Sequence, residues 1–137
     1  MIVSFGPDAR YVSLGACAFT GCDLGSIPFP PSSERIGDKC FKDCKYLESV
    51  SFSSHPRVAC LGEAAFKGSS LRAIEIPQSI EVIGNSCSTN CASLEPVFFG
   101  VRSHVVALGE GMFEGSFLRT IHIPRSVEAI WNLCIAR

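Results

Sequence analysis

The sequence predicts a repeat solenoid: a right-handed coil of about six turns, with a parallel β-sheet along one face and little helix. Three observations carry this expectation. A Leu/Ile-Gly pair recurs at Leu14-Gly15, Ile36-Gly37, Leu61-Gly62, Ile83-Gly84 and Leu108-Gly109, with Ile130-Trp131 as a degenerate copy. Its spacing alternates between 22 and 25 residues, so two units make a period of 47. Shifted by 47 without gaps, the chain is identical to itself at 39 of 90 compared positions, well above chance for this composition. The third observation is a short run of alternating apolar residues inside every unit. Residues 1–137 therefore read as one solenoid of 2.9 copies, starting and stopping inside a copy, as a piece of a longer array would.

The alternating runs come first in each unit. They are Leu24-x-x-Ile27-x-Phe29, Leu47-x-x-Val50-x-Phe52, Leu71-x-x-Ile74-x-Ile76, Leu94-x-x-Val97-x-Phe99 and Leu118-x-x-Ile121-x-Ile123. A period of two over four or five positions is the mark of a half-buried strand. Each run returns one coil later, so neighbouring strands must be parallel. Val3 and Phe5 are the remnant of a further strand. Pro30, Pro77 and Pro124 follow the strands, where a missing N–H does least harm to a ladder.

Next comes the Leu/Ile-Gly step, and after it a small residue followed by phenylalanine: Ala18-Phe19, Cys40-Phe41, Ala65-Phe66 and Met112-Phe113. This step reads as a turn that buries the ring against the adjoining coil. Three residues after the ring stands Cys22, Cys44, Ser69, Cys91 or Ser116, small enough for the chain to bend back into the core. No amphipathic segment of helical length fits between these points. Two places depart from the pattern. Ser88 stands where a buried phenylalanine is expected, and Trp131 where a glycine is expected.

The repeated combination resembles BspA-like leucine-rich repeats. Ile76-Pro77-x-Ser79-x-Glu81-x-Ile83-Gly84, Ala65-Phe66-x-Gly68 and Cys40-Phe41-x-x-Cys44 carry the resemblance, together with the Leu-x-x-Ile-x-Ile runs. Ser32, Ser79 and Ser126, or His55 and Arg102 in the long units, occupy the place where the common leucine-rich repeat has Asn or Cys. The resemblance implies a curved coil with its sheet on the concave face, and a role in adhesion or protein recognition on cell surfaces.

Composition narrows the function. Twelve Lys+Arg against thirteen Asp+Glu leave a net charge of −1, with no basic field to gather nucleic-acid phosphates. No run of 18 apolar residues offers a membrane span, and the first residues lack the basic and apolar stretches of a secretory signal. Eight cysteines fall below the density of a disulfide scaffold. Cys40/Cys44 and Cys87/Cys91 form Cys-x3-Cys pairs, but on coils two units apart, about 10 Å. That separation disfavours four converging zinc ligands and a Cys40–Cys87 disulfide. Cys40, Cys87 and Cys134 are repeat-equivalent, as a buried ladder of small residues would be. His55, His104 and His122 are isolated, and no nucleophile turn or phosphate loop occurs. The sequence thus points to no catalytic residue, no cofactor and no metal.

The outward strand positions remain. At the strand centres these are Ser4, Pro28, Ser51, Glu75, Phe98 and His122. Ser51, Glu75, Phe98 and His122 are the candidate partner-binding residues, with Phe98 as the aromatic anchor. A bare solvated sheet face is the competing reading, and Phe98 could instead cover the gap left by Ser88. The expected function is non-catalytic recognition of a protein partner through the concave sheet. The alternatives are a structural spacer in a longer repeat protein and an intracellular scaffold. Open apolar end coils add an expectation of end-to-end self-association.

Overall fold

The computed structural model describes residues 1–6, 12–30, 32–52 and 56–131. Ten short strands follow one another: β1 (Val12–Leu14), β2 (Ser26–Phe29), β3 (Ser33–Ile36), β4 (Ser49–Phe52), β5 (Cys60–Leu61), β6 (Ile74–Ile76), β7 (Val82–Ile83), β8 (Val97–Phe99), β9 (Ala107–Leu108) and β10 (Ala129–Ile130). Every pairing among them is parallel. Among the described residues there is no helix. The fold is the expected solenoid.

The longest ladder is not built from the alternating runs. It is a six-stranded sheet in the order β1-β3-β5-β7-β9-β10, made from the residues just before each glycine. Leu14 pairs with Ile36, Ile36 with Leu61, Leu61 with Ile83, and Leu108 with Ile130. Each step is thus the 22- or 25-residue spacing of the sequence. The alternating runs form only two pairs, β2 with β4 and β6 with β8. Residues 118–123, expected as a strand, form none.

The glycines explain why the long ladder holds. A Cβ on Gly62 would lie 2.5 Å from Asp38 N and from Gly37 C. One on Gly84 would lie 2.5 Å from Glu63 N, and one on Gly109 would lie 2.3 Å from Gly84 O. Each glycine lies against the backbone of the preceding coil, where no side chain fits. Asp38 Oδ1 accepts a hydrogen bond from Glu63 N (2.8 Å), and Asn85 Oδ1 one from Glu110 N (2.9 Å), securing the same edge.

The turn after each glycine uses two left-handed positions per coil. One falls at Gly21, Asp43, Gly68, Asn90 and Gly115. Glycine, Asp and Asn are the residues that reach positive φ most cheaply, which accounts for Gly21, Gly68 and Gly115 recurring every 47 residues. The turn delivers phenylalanine to the core. Phe19 stacks on Phe41 at 5.3 Å, and Phe41 on Phe66 at 5.5 Å. Phe41, Phe66 and Phe113 are fully buried. Ser88 interrupts this column and is 1% exposed, and by distance and angle its hydroxyl has no hydrogen-bond partner among the described residues.

The small residue at the bend ties coils together. Cys44 Sγ donates to Phe19 O (3.0 Å), and its repeat-equivalent Cys91 Sγ to Phe66 O (3.1 Å). Ser79 Oγ donates to Val58 O (2.7 Å) and Ser126 Oγ to Val105 O (2.6 Å), so the family-like serine also bridges coils. Cys40, Cys44, Cys87 and Cys91 are buried, and the seven described cysteines are unpaired thiols. Burial pushes the Cys40 thiol up to about 11 and the Cys87 thiol up to about 12. Cys134 and His55 lie outside the described residues.

Candidate functional site

The alternating runs set the geometry of the candidate face. Their inward residues, Leu24, Ile27, Leu47, Leu71, Ile74, Ile76 and Leu94 among them, are buried. The outward residues Ser4, Pro28, Ser51, Glu75, Phe98 and His122 are all exposed. Glu75 and Phe98 stand side by side in the β6–β8 register, and Ser51 faces Pro28 in the β2–β4 register. Phe98 is 56% exposed while Ser88 is buried, so the ring does not cover the gap that Ser88 leaves.

The face is grooved where its ladder breaks. Backbone bonding from Arg72 N to Glu48 O (3.1 Å) joins the approaches to β4 and β6, yet the two strands do not pair. The same break separates β8 from residues 118–123. Both breaks follow a long unit, in which eight residues rather than six separate the last strand residue from the next ladder residue (Phe52 to Leu61, Phe99 to Leu108, against Ile76 to Ile83).

An open groove lies at each break. The first, of about 910 Å³, is lined by Ser51, Phe52 and Arg57 on one side and by Glu75, Gln78 and His104 on the other. The second, of about 680 Å³, is lined by Val97, Phe98 and Phe99, by Val101 and Arg102, and by His122, Ile123 and Arg125. Shifting by 47 converts Ser51 to Phe98, Phe52 to Phe99, Glu75 to His122 and Gln78 to Arg125, so the two grooves are repeat-equivalent. The four residues singled out from the sequence thus divide two and two: Ser51 and Glu75 line the first groove, Phe98 and His122 the second.

The sequence did not assign Arg102, Arg125 or Val101 to the binding face. They stand in the variable residues after the strands, and variability inside a strict repeat is the signal that marks them. His104 is held to the first groove by Nδ1, 2.8 Å from Gln78 O. Among the described residues no group of three or more His, Cys, Asp or Glu could hold a metal ion, and no helix is long and apolar enough to cross a membrane.

Stacked parallel strands, a leucine-rich periodicity and a grooved outer face define a leucine-rich repeat β-solenoid. Residues 12–137 match the BspA type leucine rich repeat region in six copies, and the chain belongs to that family. Two crystal structures share the fold. The pneumococcal vaccine antigen PcpA is 27% identical with a TM-score of 0.74, over 77% of this chain and 26% of that one. A leucine rich cell surface protein from Faecalibacterium prausnitzii A2-165 is 27% identical with a TM-score of 0.59, over 65% of this chain and 23% of that one. This chain spans about a quarter of the length of either. No curated protein sequence matches it at a significant level.

Proposed function

We propose that the chain is a non-catalytic recognition module that binds a protein partner across the grooved face, in a cell-surface, adhesive setting. The observation that carries this reading is Phe98. A large aromatic side chain stands 56% exposed on a strand whose inward residues are buried, beside His122 in an open groove. Exposed aromatics over a rigid scaffold are frequent binding anchors. The surface setting rests on likeness to PcpA, a vaccine antigen, and to a leucine rich cell surface protein.

Phe98→Ala tests the reading. Binding of the immobilised chain to a panel of purified extracellular and surface proteins should fall about tenfold or more. The melting temperature should stay within about 2 °C, because the ring contributes little to the core. A large thermal loss would make Phe98 a packing residue. Unchanged binding to every captured protein would refute the reading. A second reading, a spacer in a longer array, is favoured by the chain spanning about a quarter of its structural neighbours.

A further inference from the structure

Resting on the reading of this face as a protein-recognition surface, we propose that the second groove, between β8 and residues 120–126, takes an acidic, extended peptide bearing an apolar anchor side chain. Three observations converge on that partner.

The first is charge. Arg102 and Arg125 are exposed and line this groove, as does His122. Neither arginine forms an ion pair among the described residues, where the sole pair is Arg72 with Glu48 (3.3 Å). Guanidinium groups favour carboxylates through paired, planar hydrogen bonds. Among the described residues Glu95 is the one carboxylate lining the groove, so its balance is cationic while the chain as a whole carries −1.

The second is the apolar floor. Phe98 and Val101 are exposed there, and Phe99 and Ile123 complete the wall. A sulfated sugar would leave these side chains uncovered. A peptide with an aromatic or aliphatic side chain between its carboxylates would bury them.

The third is the strand edge. Among the described residues β8 has a strand partner only on its β6 side. Alternate backbone groups of a parallel strand point to either side. Ile74 N donates to Pro96 O (3.2 Å) and Gly100 N to Ile76 O (3.0 Å), so the even-numbered residues serve β6 and Val97 and Phe99 face the groove. An extended peptide backbone carries the complementary N–H and C=O groups; a sugar chain does not.

The first groove is an internal control. It has the same framework, but Ser51 replaces Phe98, Glu75 replaces His122 and Gln78 replaces Arg125. It therefore lacks both the anchor ring and the arginine pair, and it should not take the same peptide.

The test uses the full chain and a fluorescein-labelled nonapeptide with a central phenylalanine flanked on each side by two glutamates, the remainder glycine and serine. Two further probes replace the glutamates by lysine or by glutamine, and a heparin hexasaccharide serves as the anionic sugar. Binding is read by anisotropy at low and moderate salt, with circular dichroism checking each variant. The glutamate probe should bind with one-to-one stoichiometry and weaken as salt rises. Arg102→Ala/Arg125→Ala should cost it about tenfold or more without changing the fold. The acidic-peptide proposal is overturned if the lysine probe binds as well as the glutamate probe, if the double variant stays within about twofold, or if heparin binds more tightly. In those cases the recognition reading still stands when the binding of any probe falls with Phe98→Ala. It fails separately when no probe depends on Phe98.

Discussion

The glycine column is the feature on which the long ladder depends, and Gly84→Ala probes it. A Cβ at Gly84 would sit 2.5 Å from Glu63 N, 2.7 Å from Gly62 C and 2.8 Å from Glu63 Cα, where ordinary contact begins at 3.4 Å. The shortfall is about 0.9 Å. All three obstacles are backbone, so no rotamer change relieves them. The coil must move away from its neighbour, and the Gly84 N to Leu61 O hydrogen bond of 2.8 Å lies in its path. Overpacking costs about 1–3 kcal/mol where side chains can yield. With a rigid obstacle, about 3 kcal/mol or more is expected, a drop in melting temperature of roughly 10 °C for a domain of this size. Gly15→Ala is the matched control, since nothing lies within 4 Å of its added Cβ. Alanine there reduces unfolded-state entropy at no steric cost and should be neutral or stabilising by up to about 1 kcal/mol. Both variants change the unfolded chain alike, so their difference isolates the close approach. Thermal and urea unfolding followed by circular dichroism measure it. Melting temperatures within about 2 °C of each other would refute the argument.

Further outcomes follow from the same packing. Ser88→Ala removes a buried hydroxyl that has no partner among the described residues, and the urea midpoint should rise, by about 1 kcal/mol of stability; a fall would show that the hydroxyl is satisfied. Ser79→Ala deletes the bond to Val58 O and should cost about 1 kcal/mol in the same assay, whereas no change would mean that the tie is incidental. The Cys40 and Cys87 thiols are raised by burial from 9.0 to about 11 and about 12, so the native state holds these protons more tightly than the unfolded chain does. Stability from this source is fully present below pH 9 and is lost as pH climbs through 11 to 12. Urea titrations at pH 8 and pH 10 should show the decline, and Cys40→Ala/Cys87→Ala should lessen it, the remainder coming from Cys44 and Cys91, which burial also raises; an equal decline in the variant assigns it to other groups.

Much of this architecture is legible in the residues. The alternating runs predicted β2, β4, β6 and β8, and all six outward residues at the strand centres are exposed. The small-Phe step predicted a turn that buries its ring, and Phe41, Phe66 and Phe113 are buried. The six-stranded ladder was less legible. Its strands at Cys60–Leu61, Val82–Ile83 and Ala107–Leu108 are two residues long, too short to show alternation. What marked them was the recurring glycine, whose meaning is steric: only a residue without a Cβ lets successive coils approach. The grooves were not legible at all. Ser51 and Phe98 read as equivalent outward residues, and nothing local to either shows that the strand beside it is unpaired.

By itself the sequence determined the period, the inward and outward columns of residues, and the points where the backbone turns. These depend on local chemistry repeated in register: apolar alternation, a missing Cβ, a side chain that tolerates positive φ. Only the tertiary structure decided which column becomes the continuous ladder and where the other column opens. That outcome depends on how one coil settles on the next. Along the glycine column the backbones meet closely at every step. Along the Leu-x-x-Leu-x-Leu runs, two of the three extra residues of each long unit stand at the junction where pairing with the following coil is lost. The 47-residue period of the sequence thereby becomes a 47-residue period of grooves, and different residues at equivalent places, Ser51 and Phe98 or Gln78 and Arg125, give those grooves different chemistry.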